Sequence, residues 1–357
     1  MLHPESQNVS RRRLLAGSLA GSAVAGLGLL GGFHAAAADK LPAQSDRPDP
    51  GDDKALIAIT LDLEMSRNFP KWEDTHWDYE KGNLNDETKA YASEACRRVK
   101  SHGGVLHSFV VGQVLEQPNI DWLKQIVADG HPVGSHTYDH IYVKAPRLED
   151  IQFRFRRAPW LIQDKSIEQV VRENIRLNSV AMKQRLGIDP AGFRTPGGFS
   201  NGLIDRPDVQ QMLLDAGFTW VSSLYPAHPI ESGKRPDAEM FAAILKAQAV
   251  AQPFVYPTGL VEVPMSPISD VGAFRNGRWP LADFKQAIRM GVEWAIENRA
   301  VFDLLSHPSC LYVTDPKFET IEMVCELVEK SAGRAVIVDL GTIARRAARQ
   351  KKKPPQV

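Results

Sequence analysis

The sequence predicts an α/β barrel, and three observations carry that prediction. Apolar, β-branched runs alternate with helically periodic segments along residues 55–338, the rhythm of strands joined by crossover helices. Side chains suited to chemistry stand at the ends of several of these runs: Asp62 and Glu64, His136 and His140, Arg194, and His307. Alternation alone fits a barrel or a doubly wound sheet. A barrel gathers the carboxyl ends of its strands into one mouth, whereas an open sheet spreads them along an edge, so the barrel is favoured.

Residues 55–63 are an apolar, β-branched run, as expected of a strand covered on both faces. Residues 86–101 place Tyr91, Ala95 and Val99 on one helical face, with Gly103-Gly104 to stop the helix. A strand is predicted over 105–111, a helix over 122–128 closed by Gly130, and a short strand over 132–136. A long helix starts at Ser166, which with Gln169 has capping-box spacing; Val171, Ile175, Met182 and Leu186 form its buried stripe and Gly187 ends it. Further strands are predicted over 192–195, 218–222, 260–264, 301–306 and 335–338, separated by helices over 209–216, 281–298 and 318–330. No G-x-G-x-x-G or G-K-[ST] loop follows any strand, which excludes the common nucleotide-binding signatures.

The chain of 357 residues is long enough for a sizeable core. Its first 38 residues read as a leader: Arg11-Arg12-Arg13 precede a Gly/Ala-rich apolar run, and Ala36-Ala37-Ala38 supply small residues for cleavage after Ala38. Arginines directly before a glycine-rich run suggest the twin-arginine export machinery as a partner. The expected location is periplasmic or extracellular, with no stable membrane anchor after cleavage. Residues 39–53, rich in Pro, Asp and Ser, read as a flexible linker, 54–346 as the barrel domain, and 347–357 as a basic disordered tail. Without the leader the chain keeps 40 basic and 42 acidic residues, a formal net charge of −2, so no global basic field draws it to nucleic acid. Cys96, Cys310 and Cys325 form no C-x-x-C pair, which argues against a thiolate zinc site, and they permit at most one internal disulfide.

The pentapeptide His136-Thr137-Tyr138-Asp139-His140 carries the chemistry. Two imidazoles four residues apart in one helical turn would share a face and could grip one divalent ion. Two imidazoles and one carboxylate suit zinc and leave positions for water and substrate. Strand period sends Asp62 and Glu64 to the same side. Glu64, His136 and His140 are the expected metal ligands and Asp62 the general base, though the two acids could exchange roles. His107 and His131 have no partner at ligand spacing and are expected to be structural.

Four motifs in order, Thr60-Leu61-Asp62-Leu63-Glu64, His136 to His140, Phe193-Arg194-Thr195-Pro196-Gly197-Gly198 and Leu304-Leu305-Ser306-His307, resemble those of the polysaccharide deacetylase family (NodB homology, carbohydrate esterase family 4). Residues 105–112 also resemble the strand that family carries between its first two motifs. The resemblance spans residues 55–346. It implies a single-domain, distorted (β/α) barrel of seven or eight strands that removes acetyl groups from N-acetylated sugars with a divalent metal, usually zinc. It further implies that Asp62 is the base, that His136 and His140 bind the metal, that Arg194 orients the base, and that His307 protonates the departing amine. The family's usual first motif has adjacent aspartates; Leu63 and Glu64 depart from it, in an acid-x-acid spacing resembling that of peptidoglycan-deacetylase-like and allantoinase-like members.

The loop over 65–85 holds Phe69, Trp72, His76, Trp77 and Tyr79, and flat aromatic faces stack on sugar rings. Trp72 and Trp77, with Tyr138 and Pro196 from the motifs, are the candidate substrate-binding residues. The basic insertion over 141–165 is expected to be mainly a solvated face. The expected substrate is an extracytoplasmic glycan, peptidoglycan or another N-acetylhexosamine polymer. The alternatives are hydrolysis of a small-molecule C–N bond, as in allantoinase-like relatives, and a non-catalytic glycan-binding role.

Overall fold

The computed structural model of the chain describes residues 50–75, 81–152 and 154–354. The expected leader, most of the expected linker, and Trp77 lie outside the described residues. In chain order the elements are β1 (Ala55–Leu63), α1 (Asp86–Ser101), β2 (His107–Val110), α2 (Asp121–Ala128), β3 (Val133–Ser135), α3 (Ile167–Leu186), β4 (Phe193–Phe199), α4 (Pro207–Asp215) and β5 (Trp220–Leu224). There follow α5 (Ala238–Val250), β6 (Phe254–Val255), β7 (Val261–Glu262), α6 (Leu281–Glu297), β8 (Val301–Ser306), α7 (Pro308–Thr314), α8 (Glu319–Lys330), β9 (Ala335–Ile337) and α9 (Leu340–Gln350).

The two faces of β1 explain the architecture. Ala55, Ile57, Ile59, Leu61 and Leu63 belong to a cluster with residues of α1, α6 and α8, so they point outward into the helical layer. Leu56 and Ala58 point the other way, into a second cluster with Phe109, Trp220, Val261 and Val301 from other strands. Period-2 alternation then puts Thr60 and Asp62 on that same inner side, one step nearer the carboxyl end of the strand. The barrel interior is therefore apolar at one end and polar at the other. Ile343, Ala344 and Ala347 of α9 join the inner apolar cluster and close the end away from the polar residues.

The strands run β6-β7-β5-β4-β3-β2-β1-β8, and β9 pairs with the first residues of β1. Every pairing is parallel except β6 with β7. The ladder does not close between β7 and β8. Instead, Ser266 spans the gap: its N–H donates to the Asp303 carbonyl at 3.1 Å, and its hydroxyl accepts the Asp303 N–H at 3.0 Å. The result is the expected distorted (β/α) barrel of a single domain, with nine strands among the described residues where seven or eight were expected.

Local signals act as the sequence suggests. Ser166 caps α3, with Gln169 completing the capping box, and Gly187 ends it in the left-handed conformation. His131 accepts the Leu106 N–H and His107 accepts the Leu340 N–H, both as structural residues. The three cysteines are free and buried, so no disulfide forms among them.

The tail departs from expectation. Helix α9 runs to Gln350, past the expected domain boundary, and Val255 donates to the Lys352 carbonyl at 2.8 Å. Its apolar face is built from Leu340, Ile343, Ala344 and Ala347, while the buried Arg346 donates to the carbonyls of Lys54 and Gly51. Among the described residues no helix is long and apolar enough to cross a membrane.

Gly192 sits just before β4 with φ of 134°, and a Cβ there would lie 1.9 Å from the Trp220 ring. Gly192→Ala is expected to lower stability by roughly 1–3 kcal/mol through overpacking and backbone strain. A urea unfolding midpoint that does not move would overturn that expectation.

Candidate metal centre and proton-transfer groups

The site lies where four strands end, and each side chain continues the inward face of its strand. Asp62 follows Leu56, Ala58 and Thr60 on β1. His136 follows Gly134, which packs against the Phe109 ring. His307 follows Val301, Asp303 and Leu305 along β8 and still has extended backbone. Glu64 lies just past β1, where its N–H donates to the Asp62 carbonyl at 3.0 Å and turns the chain.

The expected helical turn at His136 to His140 is not formed. The segment is a tight loop after β3 in which Thr137 (φ 57°) and His140 (φ 54°) are left-handed. The imidazoles still converge, with ring centroids 5.0 Å apart. The residues between them are scaffolding. The Thr137 and Tyr138 carbonyls accept the N–H groups of Gly112 and Gln113, and the Asp139 carboxylate accepts from Gln113 and Asn174. Tyr138, expected to touch substrate, is fully buried, and its hydroxyl donates to Glu116 at 2.6 Å. The motif read as a ligand pair is thus also a folding device.

The Nε2 atoms of His140 and His136 lie 2.6 and 3.6 Å from Oε2 of Glu64. The donor atoms of these three residues fall within 4.8 Å of one another, a grouping that could hold a metal ion. His136 donates from Nδ1 to the Arg194 carbonyl at 3.0 Å, which fixes the tautomer with Nε2 as the lone-pair donor. Glu64 Oε2 is buried without a hydrogen-bond partner among the described residues: the short approach of His140 lacks hydrogen-bond alignment. An orphaned carboxylate oxygen faced by two imidazole nitrogens fits a divalent cation. Burial opposes the charge on Glu64, but His140, Lys81 and His136 outweigh it and hold its carboxyl well below the usual range. Burial, helped by the charges of Lys81 and His136, pushes His140 down to about 4 despite Glu64, leaving it neutral and able to ligate.

Asp62 occupies the second wall. Its Oδ2 lies 3.7 Å from His136 Nε2 and 4.0 Å from His307 Nε2, and its Oδ1 accepts from Arg194 at 3.1 Å. Arg194 is fully buried and also donates to Thr60 at 2.8 Å, to Ser222, and to Asp303 at 2.5 Å. Burial, with the charge of Asp62, pushes Asp303 up to about 6 against the pull of Arg194 and Thr60. His307 forms the third wall. Its Nδ1 lies 2.9 Å from Asp270, which also accepts the His307 N–H at 2.6 Å. Burial favours the neutral ring, yet Asp270 first, then Asp62 and Glu64, hold His307 protonated to higher pH than an ordinary imidazole.

The structure therefore brings together Asp62, Glu64, His136, His140, Arg194 and His307. Pro196 is buried beside them in β4. Trp72 is 42% exposed, with the Arg278 guanidinium 3.7 Å above its ring. Lys81, Asp270 and Asp303 were missed. Lys81 donates to Glu64 Oε1 at 2.7 Å and is buried, but it sits in a polar loop with no motif around it. An acid at an inward position of β8 could have flagged Asp303. Asp270 lies in an irregular stretch before a π-helical turn (Val271–Gly277) and offered no periodicity.

Residues 80–219 match the sequence model of the polysaccharide deacetylase family. The family resemblance stands. The matched span holds His136, His140 and Arg194; Asp62, Glu64 and His307 lie outside it. No curated protein matches. Among solved structures, a protein named as a polysaccharide deacetylase from Mycobacterium smegmatis is similar at TM-score 0.56 and 15% identity, over 89% of this chain and 98% of that one. One from Pseudomonas aeruginosa PAO1 reaches 0.56 at 14%, over 87% and 96%. The Puue allantoinase reaches 0.54 at 14%, over 89% and 98%. At these identities the likeness is one of fold.

Removing the Asp270 charge tests the pairing with His307. The carboxylate stabilises the protonated ring, so Asp270→Asn should lower the His307 pKa, measured by an NMR titration of the metal-free chain. The stability that the pair contributes below the ordinary imidazole range, and loses as pH rises through the raised value, should fall with it. An unmoved titration would show that Asp270 serves only as a backbone anchor.

Proposed function

We propose that the protein is a metal-dependent hydrolase that removes N-acetyl groups from an extracytoplasmic glycan, peptidoglycan or another N-acetylhexosamine polymer. One observation carries this reading: a Glu64–His136–His140 donor set, an arginine-held Asp62 and a carboxylate-backed His307 converge on one buried point. The family match supports the glycan substrate class, and the apolar leader supports export by the twin-arginine route.

Glu64, His136 and His140 would hold the ion, for which zinc suits the donor set. When bound, a divalent ion supplies Lewis acidity that lowers the pKa of water and stabilises charge on an amide oxygen. Asp62 accepts the proton of the attacking water. Arg194 keeps that carboxylate fixed in place by donating to it. His307 Nε2, on the far side of Asp62 from Arg194, donates the proton that lets nitrogen leave as an amine rather than as an anion. The C–N bond breaks as the water oxygen bonds to the acetyl carbon. Asp62 takes one water proton, and protonated His307 gives its proton to the nitrogen. Return of the Asp62 proton to His307 restores both groups, leaving the free amine and acetic acid, which ionises to acetate.

Acetate release from chitooligosaccharides and peptidoglycan, measured beside metal content, tests the proposal. Asp62→Asn should keep the ion and lose turnover by about 10²–10⁴-fold, whereas His136→Ala should lose both. If Asp62→Asn lost the ion and Glu64→Gln kept it, the two acids would exchange roles. Turnover of a ureide without bound metal would support the small-molecule reading instead.

A further inference from the structure

The least expected group at the site is Lys81. Its ammonium is buried and lies 2.7 Å from Glu64 Oε1, the oxygen turned away from His140. It is delivered there by rigid backbone. The Lys81 carbonyl accepts the Met65 N–H at 2.9 Å, fastening it beside Glu64. At Gly82 an added Cβ would fall 2.3–2.6 Å from Gln113 and Val114 atoms, two of them backbone, so the chain is pressed against its neighbour at that point. A buried lysine ammonium is costly unless paired, and Glu64 is the carboxylate placed to pair with it.

From this geometry we propose that Lys81 is a positioning and charge-tuning residue for the metal centre. It restricts Glu64 to one oxygen, Oε2, toward the ion, and it weakens the hold on a divalent cation. The inference rests on the proposed metal-dependent reading. Two effects follow from one contact. Hydrogen bonding to Oε1 disfavours two-oxygen binding by Glu64, because the lysine occupies the second oxygen's lone pair. The ammonium also adds a positive charge one carboxylate away from the cation, where low dielectric strengthens repulsion. Asp62 and Glu64 already have Arg194 and Lys81 as cationic partners, so the centre is close to charge-balanced before any ion enters. The ion is then bound weakly enough to exchange.

The test uses the full chain, stripped of metal and titrated with Zn2+ against a competing chelator. Lys81→Met, which keeps length and removes charge, should bind Zn2+ at least tenfold more tightly than the wild type. Lys81→Arg, which keeps the charge, should restore weak binding. The metal-free Lys81→Met protein should melt at lower temperature than the wild type, because Glu64 loses its counterion, and Zn2+ should raise its melting temperature more. Equal or weaker Zn2+ affinity in a folded Lys81→Met protein would overturn the inference while leaving the metal-dependent reading intact. If neither protein bound Zn2+, both would fall together. Binding by Lys81→Met alone would show the lysine excluding the ion outright, which supports its role in tuning and removes the metal-dependent reading of the wild type.

Discussion

The site depends on one guanidinium. Arg194 is fully buried, and its charge is met by Asp62 from β1 and Asp303 from β8, with Thr60 and Ser222 filling further donors. Its plane also lies over the Phe109 ring, 4.4 Å from the centroid. Four strands and one aromatic wall are thus tied to a single planar cation across the barrel. A lysine could not replace it, because the contacts diverge from a fork rather than a point. Removing Arg194 would leave two buried carboxylates uncompensated, a cost of several kcal/mol. The same residue that joins the strands also aims the proposed base, so folding and orientation of the site are one event.

That arrangement follows from the alternation of β1. A strand apolar on both sides reads in sequence as an apolar run, here residues 55–59, and its switch to polar character shows at Thr60 and Asp62. Where the barrel axis is apolar, Leu56 and Ala58 pack; at the end that holds the candidate site, the same inward positions become Thr60 and Asp62. The function of the strand changes along its length without any change of geometry. β8 repeats the pattern, passing from Val301 through Asp303 to His307 on one face.

Much of this was legible beforehand, and the failures have physical causes. Asp62, Arg194 and His307 end apolar runs, so strand period alone exposed them, and motif order then joined them. His136 and His140 were found through spacing, but the spacing was assigned to a helix. Two left-handed residues make the same approach possible in a loop, and the β-branched Thr137 is not a residue whose type announces positive φ. Tyr138 looked like a binding aromatic because its neighbours bind. In fact its burial against Gly112, where a Cβ would lie 2.3 Å from the ring, holds the loop in place. Lys81 and Asp270 could not be found by period, since both come from irregular segments placed only by tertiary contacts. Helix α9 escaped because its run of arginines was taken with the basic tail, although Leu340, Ile343, Ala344 and Ala347 share one face.

The separation of roles among the histidines shows how one side-chain type serves opposite purposes within a few ångströms. His140 sits beside Lys81 and His136, and burial without a carboxylate of its own other than the shared Glu64 drives it neutral down to about 4. His307 is equally enclosed, but Asp270 faces its Nδ1 and two further carboxylates lie beyond its Nε2, so burial loses and the proton stays. Above about pH 4 and through the ordinary imidazole range near 6.5, the first is a lone-pair donor and the second a proton donor. Neither state is intrinsic to the residue. Exchanging the two environments, a lysine beside one ring and an aspartate behind the other, would exchange the roles, and environments that push like groups apart are how an acid and a ligand coexist in one cavity.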